Sequence, residues 1–130
     1  MTTGRALPRW AGITLAVYAG AFLVGTVSHL LDFVLQGVEV YATAPLLLRV
    51  FFVALVVIDP LVVVLVLRRP RAGVLFALAV MVADVAGNLA MTALDPAWPF
   101  PVTQSLFGVF VLATSLPLWR VLGLISQIEK

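Results

Sequence analysis

The chain has 130 residues, of which 63% are hydrophobic and 11% charged, with eight Lys and Arg against six Asp and Glu. That is more apolar surface than one small core can hide, so a water-soluble globule is excluded and a bilayer is the natural solvent. With no cysteine, disulfides, thiolate metal sites and thiol redox chemistry are excluded as well, and the length allows one domain over residues 1–130.

Four stretches reach the roughly 20 apolar residues needed to cross the hydrocarbon region. They cover about 10–31, 46–67, 72–92 and 102–122. Without water to satisfy backbone groups, such stretches must be helices, and no alternating strand pattern is present. The expected fold is therefore all-α, a polytopic membrane protein built as a four-transmembrane-helix bundle. Arg5 and Arg9 precede the first span, Arg68, Arg69 and Arg71 lie between the second and third, and Arg120 and Lys130 close the chain, while Arg49 alone falls on the other side. The positive-inside rule then places both termini in the cytoplasm, in a cell membrane. The opposite connections carry Asp32, Glu39 and Asp95. The basic charge balance follows from this topology and from anionic inner-leaflet lipid, so no nucleic-acid partner is required.

Span 1 carries Thr14, Tyr18, Ala21, Gly25, Ser28 and Asp32 at alternating spacings of four and three. A stripe of small and polar residues predicts the face that meets other helices, with Gly20 and Gly25 as packing glycines and Leu15, Phe22, Leu23 and Leu30 left to lipid. Ala19-Gly20-Ala21 imitates a secretory cleavage site, but the patterned face runs on to Asp32, so a leader is not expected. His29 and Asp32 stand three apart and share one side of the helix. They read either as a general acid/base pair or as an interfacial histidine satisfied by its neighbour. The segment 33–44 prolongs span 1 or lies along the interface, with Gly37 as the place to turn.

In span 2, Pro45 suits the first helical turn and Arg49 is placed to snorkel or to pair with an acid. Pro60, directly after Asp59, removes the bond to the Val56 carbonyl and predicts a kink. Span 3 sets Ala79, Ala83 and Gly87 beside Asp84 and Asn88; close approach on the small face brings the polar pair inward. Pro96, Pro99 and Pro101 forbid a helix over 95–101 and leave Trp98 and Phe100 at headgroup level. Span 4 places Gln104, Gly108, Val111 and Ser115 on one face. Pro117 frees the Ala113 carbonyl, and Trp119 with Arg120 marks the inner interface.

A rise of about 1.5 Å per residue puts Asp59 at ~12 Å above the cytoplasmic boundary, Asp84 at ~18 Å, Asn88 at ~24 Å, and His29 and Arg49 at ~27 Å. Asp32 and Gln104 come out at the opposite rim. An ionised Asp near the midplane costs roughly 2.5–3.5 kcal/mol, so Asp59 and Asp84 are expected to point inward and to form a column with the others. That column serves a ligand, an ion or a proton, or it only fixes helix packing.

Four spans with cytoplasmic ends, the segment Ser28-His29-Leu30-Leu31-Asp32 and a disrupted second span together resemble, in shortened form, the EXPERA fold of the sterol isomerases and the sigma-2 receptor. The resemblance implies a sterol or amine ligand enclosed between helices and contacted by acidic residues; the second-span Glu usual in that family is absent here. The plan is also similar to that of the small multidrug transporters, whose essential first-span Glu has no counterpart in this chain.

The leading functional expectation is a pocket open to the outer leaflet that binds a small lipid-like or amphipathic molecule. Asp84, Asn88 and His29 would contact its polar end, Asp32 and Arg49 would set the charge on His29, Asp59 would form the floor, and Gln104 would add a contact. Where the ligand is transformed, Asp84 and His29 are the acid/base residues. One histidine and no HExxH spacing argue against a metal, and no cofactor is expected. One alternative is a proton-coupled carrier or channel subunit acting as a homo-oligomer, which needs polar access from Asp59 to the cytoplasm by way of Ser115 and the carbonyl freed by Pro117. The other is a non-enzymatic assembly subunit that docks a membrane-protein partner.

Overall fold

The structure, a computed structural model, describes residues 6–128; Arg5 and Lys130, which contribute to the expected orientation, lie outside the described residues. Helix α1 (Arg9–Gln36) runs 28 residues, about five past the expected end of span 1. It stops at Gly37, whose φ of 63° lies in the left-handed region that a side chain disfavours, and whose N–H bonds the Phe33 carbonyl. A 3-10 turn over Gly37–Tyr41 follows. The carbonyls at its end are collected by Arg49, whose Nε and Nη2 donate to the Tyr41 and Ala42 oxygens at 3.2 and 2.6 Å. Of the two expectations for Arg49, snorkelling or an acid partner, the second is not met: its guanidinium is occupied by backbone carbonyls, to which it gives charge-assisted hydrogen bonds.

Helix α2 (Leu46–Arg68) starts one residue after Pro45, which occupies the capping position. Only Arg69 separates it from α3 (Pro70–Leu94), which opens on a proline whose missing N–H costs nothing at that position. Helix α4 (Val102–Ile128) continues six residues beyond the expected span. Both α2 and α4 run unbroken through Pro60 and Pro117. Each of the four helices is long and apolar enough to cross a membrane, which is the architecture of a multi-pass membrane protein.

The helices pack in chain order, α1 on α2, α2 on α3 and α3 on α4, whereas α1 and α4 touch much less. The α2–α3 hairpin closes tightly at Gly73, where a Cβ would fall 2.5 Å from the Val66 nitrogen and 2.6 Å from its Cα. Of the small face expected from Ala79, Ala83 and Gly87, Gly87 is buried but Ala79 and Ala83 are exposed. The reason is rotation: the buried stripe of α3 runs through Gly73, Ala77, Val80, Asp84, Gly87 and Met91, so the polar Asp84 lies on the packing face itself. Phe22, expected against lipid from its hydrophobicity, is 3% exposed because it packs edge-on against Phe107 at 5.8 Å. The hydroxyls of Thr14, Thr26, Thr92 and Thr114 bond the carbonyl four residues back in their own helices, so they are satisfied locally.

Where α1 does meet α4, the contact is aromatic. Tyr18 is fully buried, sits edge-on to Phe107 and Phe110, and reaches the Thr114 hydroxyl at 2.7 Å and the Val111 carbonyl at 3.2 Å. One end of the bundle, the basic end, carries Arg9, Arg68, Arg69, Arg71 and Arg120; the other, the acidic end, carries Asp32, Glu39 and Asp95.

Candidate functional site

The two buried acids stand on adjacent helices, and their surroundings differ. Asp59 of α2 is 5% exposed and Asp84 of α3 is 9% exposed. Asp59 faces α1. Its Oδ2 lies 3.8 Å from His29 Nε2, and a Cβ built on Gly25 would come within 2.6 Å of the same oxygen. Gly25 and His29 are four apart on α1 and therefore share a face, so one residue leaves room for the carboxyl and the other presents a ring nitrogen to it. The second nitrogen, His29 Nδ1, is 3.2 Å from the Tyr41 hydroxyl. His29 is thus held between Tyr41 and Asp59.

Asp84 is anchored within α3. Asn88 Nδ2 donates to the Asp84 side-chain Oδ1 at 3.0 Å and to its backbone oxygen at 2.9 Å, while the Trp98 indole donates to Asn88 Oδ1 at 3.2 Å. An indole N–H can only donate, so it fixes which end of the Asn88 amide faces it and hence which end faces Asp84. One oxygen of Asp84 is therefore occupied as an acceptor, and Oδ2 is left for other partners. Tyr41, Phe52 and Trp98 join these two arms through ring contacts: Tyr41 to Phe52 at 5.2 Å and Phe52 stacked on Trp98 at 5.8 Å. The loop over 95–101 thus does more than sit at a boundary, because Trp98 orients the amide that holds Asp84.

Two cavities meet at these residues. A side cleft of about 440 Å³ opens between α1 and α4, with Asp59 and Asp84 at its back and Phe22, Val80, Met81 and Phe107 as apolar walls. A hollow of about 500 Å³ at the acidic end lies over Tyr41, Asn88 and Trp98. His29, Asp32 and Gln104 line both, so the two spaces adjoin. The side cleft exists because the aromatic contact at Tyr18 joins α1 and α4 lower down, while neither helix fills the space beyond it.

Of the residues singled out in the sequence, Asp59, Asp84, His29, Asp32 and Gln104 line the side cleft, and Asn88 lines the hollow and reaches the cleft through Asp84. Arg49 lines neither; it is occupied with the carbonyls of residues 41 and 42 and is not brought to His29. Asp32 lies beside His29, but the ring nitrogens are directed at Tyr41 and Asp59. The straight-rise heights separate His29 from Asp59 by ~15 Å, whereas the two are in contact. Gly25, Tyr41 and Trp98 were not legible as site residues: a packing glycine and two interfacial aromatics carry no signal that distinguishes these roles. Among the described residues no three His, Asp or Glu side chains gather closely enough to hold a metal ion.

Gly25→Ala tests this geometry directly. Its methyl group must displace the Asp59 carboxyl, which is the movable end of a side chain, so the fold should lose no more than about 2 kcal/mol. The chain has one histidine, which makes its ring nitrogens unambiguous in a nitrogen-15 NMR spectrum. Their shifts and titration should change in Gly25→Ala and stay as in wild type in Gly20→Ala, where nothing lies within 4 Å of the added methyl.

Comparisons with protein-family models, with curated proteins and with solved structures each find no match. The fold and the site define a class, a multi-pass four-helix protein with a carboxyl-lined cleft between its first and last helices.

Proposed function

We propose that this protein spans a bilayer with both termini in the cytoplasm, and that its side cleft binds a small lipid-like or amphipathic molecule. The observation that carries the proposal is the composition of that one cleft: three carboxyls and a histidine at the back and mouth, and aromatic and aliphatic walls elsewhere. Such a space suits a ligand with one polar end and an apolar body. Asp84 Oδ2 and the His29–Asp59 pair meet the polar end; Phe22, Val80, Met81 and Phe107 cover the body. The orientation is supported by the five arginines gathered at the basic end, against Arg49 and three acids at the other. The cleft then opens toward the outer half of the membrane, at the intramembrane aspartates. If the bound molecule is converted, proton transfer through His29 or Asp84 is the chemistry available.

Binding is favoured over conduction by the other half of the bundle. On the basic side of Tyr18 the centre is packed with Val66, Val74 and Leu118, none more than 2% exposed, and the buried hydroxyls there, Thr14 and Ser115, bond carbonyls of their own helices, which weighs against a polar route from Asp59 to that end.

Native mass spectrometry of the purified chain tests the proposal. Wild-type protein should carry a small molecule, and Asp84→Asn, which keeps the shape but replaces the carboxyl, should retain it at least about tenfold less, as expected for the loss of one hydrogen bond to a charged group. Wild-type protein that emerges empty sinks the pocket reading, and flux measurements in liposomes then decide for or against a carrier. A larger protein complex that survives purification and falls apart in Asp59→Asn would point to an assembly subunit.

A further inference from the structure

The basic end holds a second feature that the cleft does not involve. Arg71, at the second position of α3, lays its guanidinium over the Trp119 ring of α4, with Cζ 3.9 Å from the ring centroid. It can lie there because residue 123 has no side chain: a Cβ on Gly123 would meet Arg71 Cζ and Nη2 at 3.1 Å. The indole face and the glycine gap thus hold a long, flexible side chain in one place, and among the described residues no acceptor takes the N–H donors on the guanidinium rim. Arg120 stands next to it, and the two border a shallow groove of about 320 Å³ closed by Leu124 and Gln127. Among the described residues neither arginine pairs with a carboxylate, since the one ion pair there is His29 with Asp59.

The rest of that face is apolar. Leu112, Leu116, Trp119 and Gly123 recur at helical spacing, so they form one stripe of α4 that leads from the groove toward the middle of the bundle, and Leu112 and Leu116 are 58% and 52% exposed. A paired positive charge at the boundary, continued by an open apolar track, matches a molecule with an anionic head and acyl tails.

We propose that Arg71, Trp119 and Arg120 form a binding site for the phosphodiester headgroup of an anionic glycerophospholipid, whose acyl chain lies along Leu116 and Leu112. The site rests on membrane insertion with the basic end at an anionic leaflet, and it is independent of what the side cleft holds. The guanidinium of Arg71 offers two parallel N–H donors to two phosphate oxygens, a contact a lysine cannot reproduce, and Arg120 supplies the second charge.

The test uses the full chain in detergent, titrated with phosphatidylglycerol or phosphatidylcholine and read by native mass spectrometry. One phosphatidylglycerol should remain bound where phosphatidylcholine is lost. The double variant Arg71→Gln, Arg120→Gln should weaken retention about 30-fold, as expected for two surface charges at a membrane boundary. Arg71→Lys, which keeps the charge, should still weaken it measurably. The control Arg68→Gln, Arg69→Gln removes the same charge from the neighbouring turn and should leave retention within about twofold. Equal loss in the control would show general electrostatic attraction and overturn the site. Displacement of the lipid by inorganic phosphate at equal concentration would overturn the lipid assignment, because the acyl track would then contribute nothing. These outcomes stand whether or not a molecule co-purifies in the cleft.

Discussion

Replacing Gly73 with alanine is expected to destabilise the protein by about 2 kcal/mol net, although alanine is the better helix former. The methyl group would sit 2.5–2.7 Å from the backbone of Leu65 and Val66, which cannot swing aside as a side chain can. Overpacking against such a wall costs about 3 kcal/mol, the upper end of the usual range, and the gain in helix propensity returns only about 1 kcal/mol. Since a single residue, Arg69, links α2 to α3, the two helices cannot separate at this point without disturbing the turn. Gly20 provides the opposite sign. Nothing lies within 4 Å of a Cβ there, so Gly20→Ala should stabilise by up to about 1 kcal/mol. Thermal unfolding in detergent, followed by circular dichroism, compares the two. A Gly73→Ala protein that melts at or above wild type would contradict the close approach of the hairpin.

Tyr18→Ala should cost about 3–5 kcal/mol, because it removes a fully buried ring from against Phe107 and Phe110 and empties the one place where α1 and α4 are joined by hydrogen bonds among the described residues. Tyr18→Phe separates the ring from the hydroxyl. It keeps the aromatic contacts, and Thr114 still has the Phe110 carbonyl as its acceptor, so no buried group is orphaned and the loss should be about 1 kcal/mol. Chemical or thermal unfolding of both variants measures the difference. If Tyr18→Ala costs no more than Tyr18→Phe, the ring does not hold the two helices together.

Much of the architecture was legible because bilayer crossing imposes a length and a composition. Four runs of apolar residues each have a local physical cause and each becomes a helix that starts within two residues of the expected place, whereas α1 and α4 run five and six residues past the expected ends. Rotation about the helix axis was less legible. A span whose residues are nearly all apolar has little contrast between faces, so hydrophobicity turns Phe22 outward and the small-residue spacing turns Ala79 and Ala83 inward, whereas packing against Phe107 and the position of Gly73 set the opposite. The site was legible in its acids, because a carboxyl in an apolar span stands out. Its supports were not. Gly25 matters through the absence of a side chain opposite Asp59, Tyr41 through a hydroxyl brought back by the turn after Gly37, and Trp98 through a donor that reaches Asn88 from a separate loop. Each depends on two segments meeting, and heights counted along straight helices cannot show that.

With α1 packed on α2, α2 on α3 and α3 on α4, and with α1 joined to α4 by hydrogen bonds at Tyr18, the bundle resembles a book held shut by a clasp. On the proposed reading, a ligand between the covers would have its thickness limited by how far they part before the clasp opens, whereas its length would be free to run out past the mouth. If the cleft binds as proposed, the protein should discriminate poorly among tails of different length and sharply against bulk beside the head.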